Sequence, residues 1–306
     1  MEPLVFFGSG PVAAKSLELL AGTFEIEAVI TKPQPAHHKE PFPVLAICER
    51  LGLKTFKPYG KTELSELFKI RPVKSRLGVV IDYGFIINQD VIDYFPLGII
   101  NSHFSLLPEW RGADPITFAI LSGQKETGVS LMLITAGMDE GPLLAQVPYE
   151  IPPDMTTPRL TEELITLSDW SLKKVLPLYV NNETKPAPQE LVALPGHKEI
   201  SYSRKLTKED GILDFSKPAQ QLEREIRAFI EWPKSRMVLS GKDIVVTRAH
   251  VIPESYPPGE IHVKDKQIIV GCGTDSLSLD EIKPAGKNTM TAAAFLAGYR
   301  NLIDAN

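Results

Sequence analysis

Apolar positions in the first thirty residues gather into two short runs, Leu4 to Phe7 and Glu27 to Ile30, separated by a segment of helical spacing that extends through Leu20. Short apolar runs of this kind suit strands buried on both faces, and the helix between them makes the opening a βαβ unit. Further runs predict strands at Gly78 to Ile81, Gly98 to Asn101 and Val129 to Ile134, and helices at Pro43 to Leu51, Lys61 to Leu67 and Pro115 to Leu121. Strands alternating with helices predict an α/β, Rossmann-like open sheet for this part of the chain.

The pattern changes after residue 184. Lys185 to Lys198 contains Pro186, Pro188 and Pro195 and has no regular period, so residues 185–200 read as a linker between a domain at 1–184 and a second at 201–306. In the second domain a helix from Ala219 to Phe229 precedes short β-rich runs at Ile244 to Arg248, Ile261 to Val263, Gln267 to Val270 and Ser276 to Leu279. Several short strands at such spacing predict a small β-barrel.

At 306 residues the chain is long enough for two cores. Cys48 and Cys272 are its only cysteines, too few for a disulfide framework, and its start has neither a basic n-region nor a cleavage site. No apolar run approaches the roughly 20 residues needed to span a bilayer. A cytoplasmic protein is expected. The net charge of −5 argues against indiscriminate nucleic-acid binding. It is unevenly spread, however: +1 from Ser201 onward and −6 before it. An acidic partner would fall more naturally on the second domain, although ordinary solvated faces account equally well for so small an asymmetry.

Candidate chemistry is concentrated between residues 101 and 139. If Gly98 to His103 is a strand, Asn101 and His103 leave it on one face, bringing an amide donor and an imidazole together. Asp139 lies in the turn Gly137-Met138-Asp139-Glu140-Gly141, after the Val129 to Ile134 run, from which a carboxylate can return to the imidazole and fix its tautomer. Taken singly, each is more often structural: a satisfied histidine, or an aspartate serving turn chemistry. Together they outline an acyl-transfer site. Two other signals are weaker. Gly8, Gly10 and Ala13 match the dinucleotide fingerprint, but Thr31 stands where its acidic residue is expected. His37-His38 lacks a third metal ligand at useful spacing.

Asn101, His103, Ser105-Leu106-Leu107-Pro108 and Gly112 resemble the Asn-x-His-x-Ser-Leu-Leu-Pro-x-x-x-Gly signature of the enzymes that use 10-formyltetrahydrofolate to formylate amines. Trp110 to Ala113, Tyr202 to Gly211, Asp214 to Ser216, Arg227 to Pro233 and Leu279 to Met290 resemble the methionyl-tRNA formyltransferases within that family, in order and over almost the whole chain. The resemblance implies 10-formyltetrahydrofolate as co-substrate, no metal, and initiator methionyl-tRNA as acceptor in translation initiation. It implies that Asn101 and protonated His103 donate to the formyl oxygen, while Asp139 orients His103 and helps to move a proton. It places Ser105, Leu106, Leu107 and Pro108, with Tyr83, Phe85 and Ile86, around the folate, and makes the second domain an OB-like barrel. A monomer is expected. The chain departs from the family at Lys32 to Glu40, which is shorter than the usual glycine- and basic-rich insertion and leaves Lys32 and Lys39 as its fixed cations. In the family that insertion touches the tRNA acceptor arm.

Three competing functions fit the sequence less well. A hydrolase releasing formate from the same donor needs the same three residues, but the matching second domain argues against it. A Ser105, His103 and Asp139 triad lacks the Gly-x-Ser-x-Gly elbow. A non-enzymatic nucleotide-binding module gives no reason to retain the full polar set.

Overall fold

The computed structural model describes residues 2–34, 42–70, 72–197 and 199–303, with side chains to residue 298. The short loop read at Lys32 to Glu40, with His37, His38 and Lys39, therefore lies largely outside the described residues. Two compact units are present: Met1–Pro115, Glu126–Glu150 and Thr161–Ser203 form the first, and Ile116–Lys125, Ile151–Leu160 and Arg204–Asn306 the second.

The first unit opens with β1 (Leu4–Phe7), α1 (Pro11–Ala21), β2 (Ile26–Ile30), α2 (Pro43–Leu51), β3 (Thr55–Phe56), α3 (Lys61–Lys69), β4 (Leu77–Val80), α4 (Gln89–Tyr94) and β5 (Ile99–His103). It continues with β6 (Arg111–Gly112), α5 (Pro115–Ser122), β7 (Glu126–Leu133) and β8 (Leu143–Glu150), although most of α5 belongs to the second unit. The sheet order is β3-β2-β1-β4-β5-β7-β8. Its first five strands are parallel, and β7 and β8 are antiparallel. This is the open α/β sheet expected. Its centre explains the apolar runs: Leu4, Val5, Phe6 and Phe7 are all 0% exposed, as a strand covered on both faces requires. The outer strand β8 is buried mainly at Leu143.

The helical pattern is fullest in α6 (Thr157–Val180), which the strand and helix signals above do not include. Leu160, Leu164, Ile165, Leu172 and Leu176 are buried on it at helical spacing. After α6 the chain does not run free. Ala187 pairs with Leu143 through two backbone hydrogen bonds (2.8 and 2.9 Å), α7 (Gln189–Val192) follows, and β9 (Tyr202–Ser203) pairs in parallel with β6. Much of the stretch read as a linker is thus packed within the first unit.

Strand order reverses between β1 and β4, and in open sheets ligands bind outside the carboxyl ends of the strands at such a reversal. The Gly8-Ser9-Gly10 turn lies there, but it is filled from within. Ser9 N donates to Asp82 O (3.0 Å), and the Asp82 carboxylate accepts the backbone N–H of Ala13 in the first turn of α1. A Cβ on Gly10 would collide with that carboxylate. Gly10 gives α1 no side-chain cap of its own, so Asp82 supplies one. Desolvation by neighbouring atoms pushes the Asp82 carboxyl up to about 6, with Lys32 opposing the rise and Asp114 adding to it.

The second unit contains α8 (Ala219–Ala228), β10 (Ser235–Leu239), β11 (Lys242–Ile252), β12 (Ile261–Lys264), β13 (Gln267–Gly271), β14 (Ser276–Pro284), β15 (Met290–Thr291) and α9 (Ala292–Ile303). Its strands form one antiparallel sheet in the order β10-β11-β14-β13-β12, with β15 on β14. All the β-rich runs read from the sequence belong to it. Leu222 and Ile226 of α8, Ile244, Val270, Leu277 and Phe295 share its buried core.

Candidate active site

β5 presents Asn101 and His103 on one face, as strand periodicity requires. Asp139 approaches them from the connection between β7 and β8, held in left-handed backbone at φ 52°. Asn101 Nδ2 donates to Asp139 Oδ1 (3.3 Å), and Gly112 N donates to Asp139 Oδ2 (2.8 Å). His103 is 6% exposed, and its Nε2 lies 3.0 Å from the carbonyl oxygen of Trp110. A carbonyl only accepts, so Nε2 carries a proton and Nδ1 is the nitrogen left for chemistry. Nδ1 faces Asp139 Oδ2 at 3.8 Å, beyond hydrogen-bond length. The carboxylate that could steady a charged imidazole is therefore beside it, while the tautomer is set by the Trp110 carbonyl.

The loop from Phe104 to Gly112 is anchored on a serine of β7. Ser130 Oγ accepts Leu107 N–H (2.9 Å) and donates to Ser105 O (2.7 Å). Gln146 Nε2 donates both to Ser130 Oγ (3.0 Å) and to Leu107 O (2.8 Å). Ser105 Oγ donates to Glu109 O (2.6 Å), and the Leu107–Pro108 peptide is cis. Ser105, Leu106, Leu107 and Pro108 are all buried, and the carbonyls of Ser105, Leu106, Leu107 and Pro108 and the N–H of Leu107 are used within the protein, so this loop is a packed support beside the polar trio.

The other predicted pocket residues separate. Tyr83 is 3% exposed in the core against Phe7 and Phe85, and its buried hydroxyl has no partner. Burial pushes its phenol well up from the usual range. Phe85 is half-buried beneath the Lys32 ammonium (4.5 Å to the ring centre), and Ile86 is 73% exposed. Ile134 joins the two groups, since it packs against the Tyr83 and Phe85 cluster and also against Leu107, Met132 and Leu143.

Several residues that hold the site carry little sequence signal. Gln189, 2% exposed, donates through Nε2 to the carbonyls of Asp139 (2.8 Å) and Gly141 (2.9 Å), and its Oε1 accepts from Arg111 Nη2 (2.8 Å). Ser201 Oγ accepts Trp110 N–H (2.9 Å). His197 bridges Glu109 (3.2 Å) and Glu126 (2.7 Å). Ser130 alone had a visible cue, a hydroxyl inside the apolar run Val129 to Ile134. Among the described residues no cluster of three or more His, Cys, Asp or Glu side chains is arranged to hold a metal, and no helix is long and apolar enough to cross a membrane.

An amide donor and an imidazole gathered at one carboxylate are groups able to stabilise negative charge and to move a proton, and known proteins offer a comparison. The formyl transferase family matches residues 10–176, and its C-terminal domain matches residues 205–300. The methionyl-tRNA formyltransferase of Roseiflexus sp. (strain RS-1) is 35% identical over 306 residues, covering 97% of this chain and 92% of that protein. That of Thiobacillus denitrificans is 36% identical over 304 residues, covering 96% of each. The N-formyltransferase of Helicobacter canadensis, solved with folinic acid and dTDP-3-aminofucose, shares the fold with a TM-score of 0.67 at 18% identity, over 91% of this chain and 99% of that one. With two formyl transferase domains in order and close kinship along its length, the chain belongs to the methionyl-tRNA formyltransferase family.

Proposed function

We propose that the chain transfers the formyl group of 10-formyltetrahydrofolate to the α-amino group of initiator methionyl-tRNA, acting as a cytoplasmic monomer in translation initiation. The observation that carries this reading is the convergence of Asn101, His103 and Asp139 beside the Ser105 to Pro108 loop. Similarity to methionyl-tRNA formyltransferases along nearly the full chain favours tRNA over a sugar or water as acceptor. Residues 1–184 carry the chemistry, and residues 201–306, the less acidic part, carry the tRNA contact.

The residues present suit the folate. Ile134, backed by the buried Leu107 and Met132, offers an aromatic ring apolar contact together with half-buried Phe85 and exposed Ile86, while the polar trio stands where an acyl group needs donors. The co-substrate supplies a formyl carbon on a nitrogen leaving group, and attack by the amine places negative charge on the formyl oxygen. One amide hydrogen of Asn101 is directed at Asp139, and the second donates to that oxygen. His103, its Nε2–H fixed by Trp110, donates from protonated Nδ1. Asp139 steadies the imidazolium and passes the proton lost by the amine towards the departing nitrogen, so that no net proton is consumed. An α-amino group titrates at about 7.7–8.0, so a useful fraction is neutral near pH 7 and placement matters more than a strong base.

The test is single-turnover formyl transfer to initiator methionyl-tRNA, with elongator methionyl-tRNA, a sugar-nucleotide amine and water as parallel acceptors. Selective labelling of the initiator is expected; formate release or sugar labelling would overturn the acceptor. Asp139→Asn and His103→Ala should each slow the chemical step about 100- to 1000-fold, with tRNA affinity little changed. A near-wild-type rate in either, with folding matched, would remove that residue from the mechanism.

A further inference from the structure

We propose that Gln189 is a positioning residue for formyl transfer, setting Asp139 against His103 from the segment that follows α6. The inference rests on the site reading above and extends it to a residue outside the signature. Every polar atom of the Gln189 side chain is used on the site's supports: Nε2 on the carbonyls of Asp139 and Gly141, Oε1 on Arg111 Nη2. Arg111 lies between Trp110, whose carbonyl fixes the His103 tautomer, and Gly112, whose N–H holds Asp139 Oδ2. The second guanidinium nitrogen of Arg111, Nη1, returns to Glu140 of the Asp139 turn (3.3 Å). Gln189, Asp139, Gly112 and Arg111 therefore close a ring of contacts that fixes the spacing between carboxylate and imidazole.

That spacing needs fixing. Asp139 occupies left-handed backbone, its neighbour Met138 is 64% exposed, and its carboxylate stands 3.8 Å from Nδ1, where a small shift decides whether a hydrogen bond forms. Gln189 is itself buried, and removing its amide leaves two loop carbonyls short of a donor and a guanidinium short of an acceptor. The segment has other anchors: Leu194 N on Gln146 Oε1 (3.0 Å), and Ser201 on Trp110. Loss of Gln189 alone should therefore loosen the Asp139 turn before it releases the segment.

The experiment compares Gln189→Leu, Gln189→Glu and Ala193→Gly with the wild type in single-turnover formyl transfer to initiator methionyl-tRNA, with KM for both substrates and Tm measured alongside. Gln189→Glu keeps the oxygen that Arg111 binds and replaces the amide donor by a carboxylate oxygen that can only accept, so it reports on the turn should the leucine variant fold poorly. Both Gln189 variants are expected to slow the chemical step about 10- to 100-fold, with KM unchanged within about twofold. Ala193→Gly, buried on the same segment and keeping the backbone N–H that binds Gln189 O (2.8 Å), should lower Tm and keep the rate. Added to Asp139→Asn, Gln189→Leu should cost less than about twofold more, because it acts through a group already disabled. A wild-type rate in both Gln189 variants, an equal rate loss in Ala193→Gly, or a full additional loss on top of Asp139→Asn would each overturn the assignment. If Asp139→Asn keeps the wild-type rate, the site reading falls and takes this inference with it; if only the Gln189 variants keep it, this inference falls alone.

Discussion

Left-handed backbone occurs in both units, with different support. In the second, Asp265 (φ 50°) and Lys266 (φ 66°) form the two-residue link between β12 and β13, closed by the Lys264 and Gln267 pair. Ser240 (φ 49°) and Gly241 (φ 73°) join β10 to β11 in the same way. Such turns match the twist of their strands and hold themselves. In the first unit, Trp110 (φ 55°) and Asp139 (φ 52°) lie in longer connections, and residues far along the chain hold them: Ser201 takes the N–H of Trp110, and Gln189 donates to the carbonyl of Asp139. A non-glycine residue in this region costs about 1–3 kcal/mol. Local geometry offsets that cost at the two hairpins of the second unit, and tertiary hydrogen bonds do so at Trp110 and Asp139 of the first. The geometry around Asp139 is therefore a property of the folded unit, and the signature residues alone would not produce it.

The largest expected break in this contrast is at Ser130. Ser130→Ala leaves Leu107 N–H and Ser105 O buried without their partner, and should cost about 2–3 kcal/mol in urea unfolding. A loss below about 0.5 kcal/mol would mean that the loop is held by packing and not by its polar network.

His197 sharpens the contrast through pH. Burial alone would lower its pKa, but the hydrogen bonds with Glu109 and Glu126 outweigh that and raise it above the ordinary value. Both ring nitrogens face carboxylate oxygens, so both donate and the ring is charged. Because the folded value lies above the unfolded one, the stabilisation is complete below about pH 6.5 and disappears as pH rises through the folded value. His197→Gln should cost about 1.5 kcal/mol at the acid end, limited by the 45% exposure of the Glu126 side chain, and the gap from wild type should narrow as the solution becomes alkaline. A gap independent of pH would contradict the charged bridge.

The smallest effect belongs to the second unit. Lys266→Gly should raise stability by about 0.5 kcal/mol in thermal or urea melts, since glycine suits the second position of such a hairpin. Destabilisation there would show that this turn, too, depends on distant contacts.

Much of the fold was legible because its cause is local. The runs at Leu4 to Phe7, Gly98 to His103 and Val129 to Ile134 announce central strands, and the short runs after Ile244 announce the antiparallel sheet. α6 went unread: Leu160, Leu164, Ile165, Leu172 and Leu176 stand at helical spacing, but Pro177 interrupts the segment. Asn101 and His103 could be placed on one face from strand periodicity alone. Gln189 and Ser201 could not be found that way. Each sits in a polar stretch, and each matters through partners 48 or more residues away. A hydrogen bond over that separation leaves no period in the sequence.

The Asp82 cap on α1 also affects competition among solutes. A carboxylate tethered to its own helix start acts at an effective concentration that free anions at millimolar levels do not match. Phosphate, nucleotides and sulfate in the surrounding solution should therefore leave the β1 to α1 turn alone, because the one anion that helix start accepts is already part of the chain.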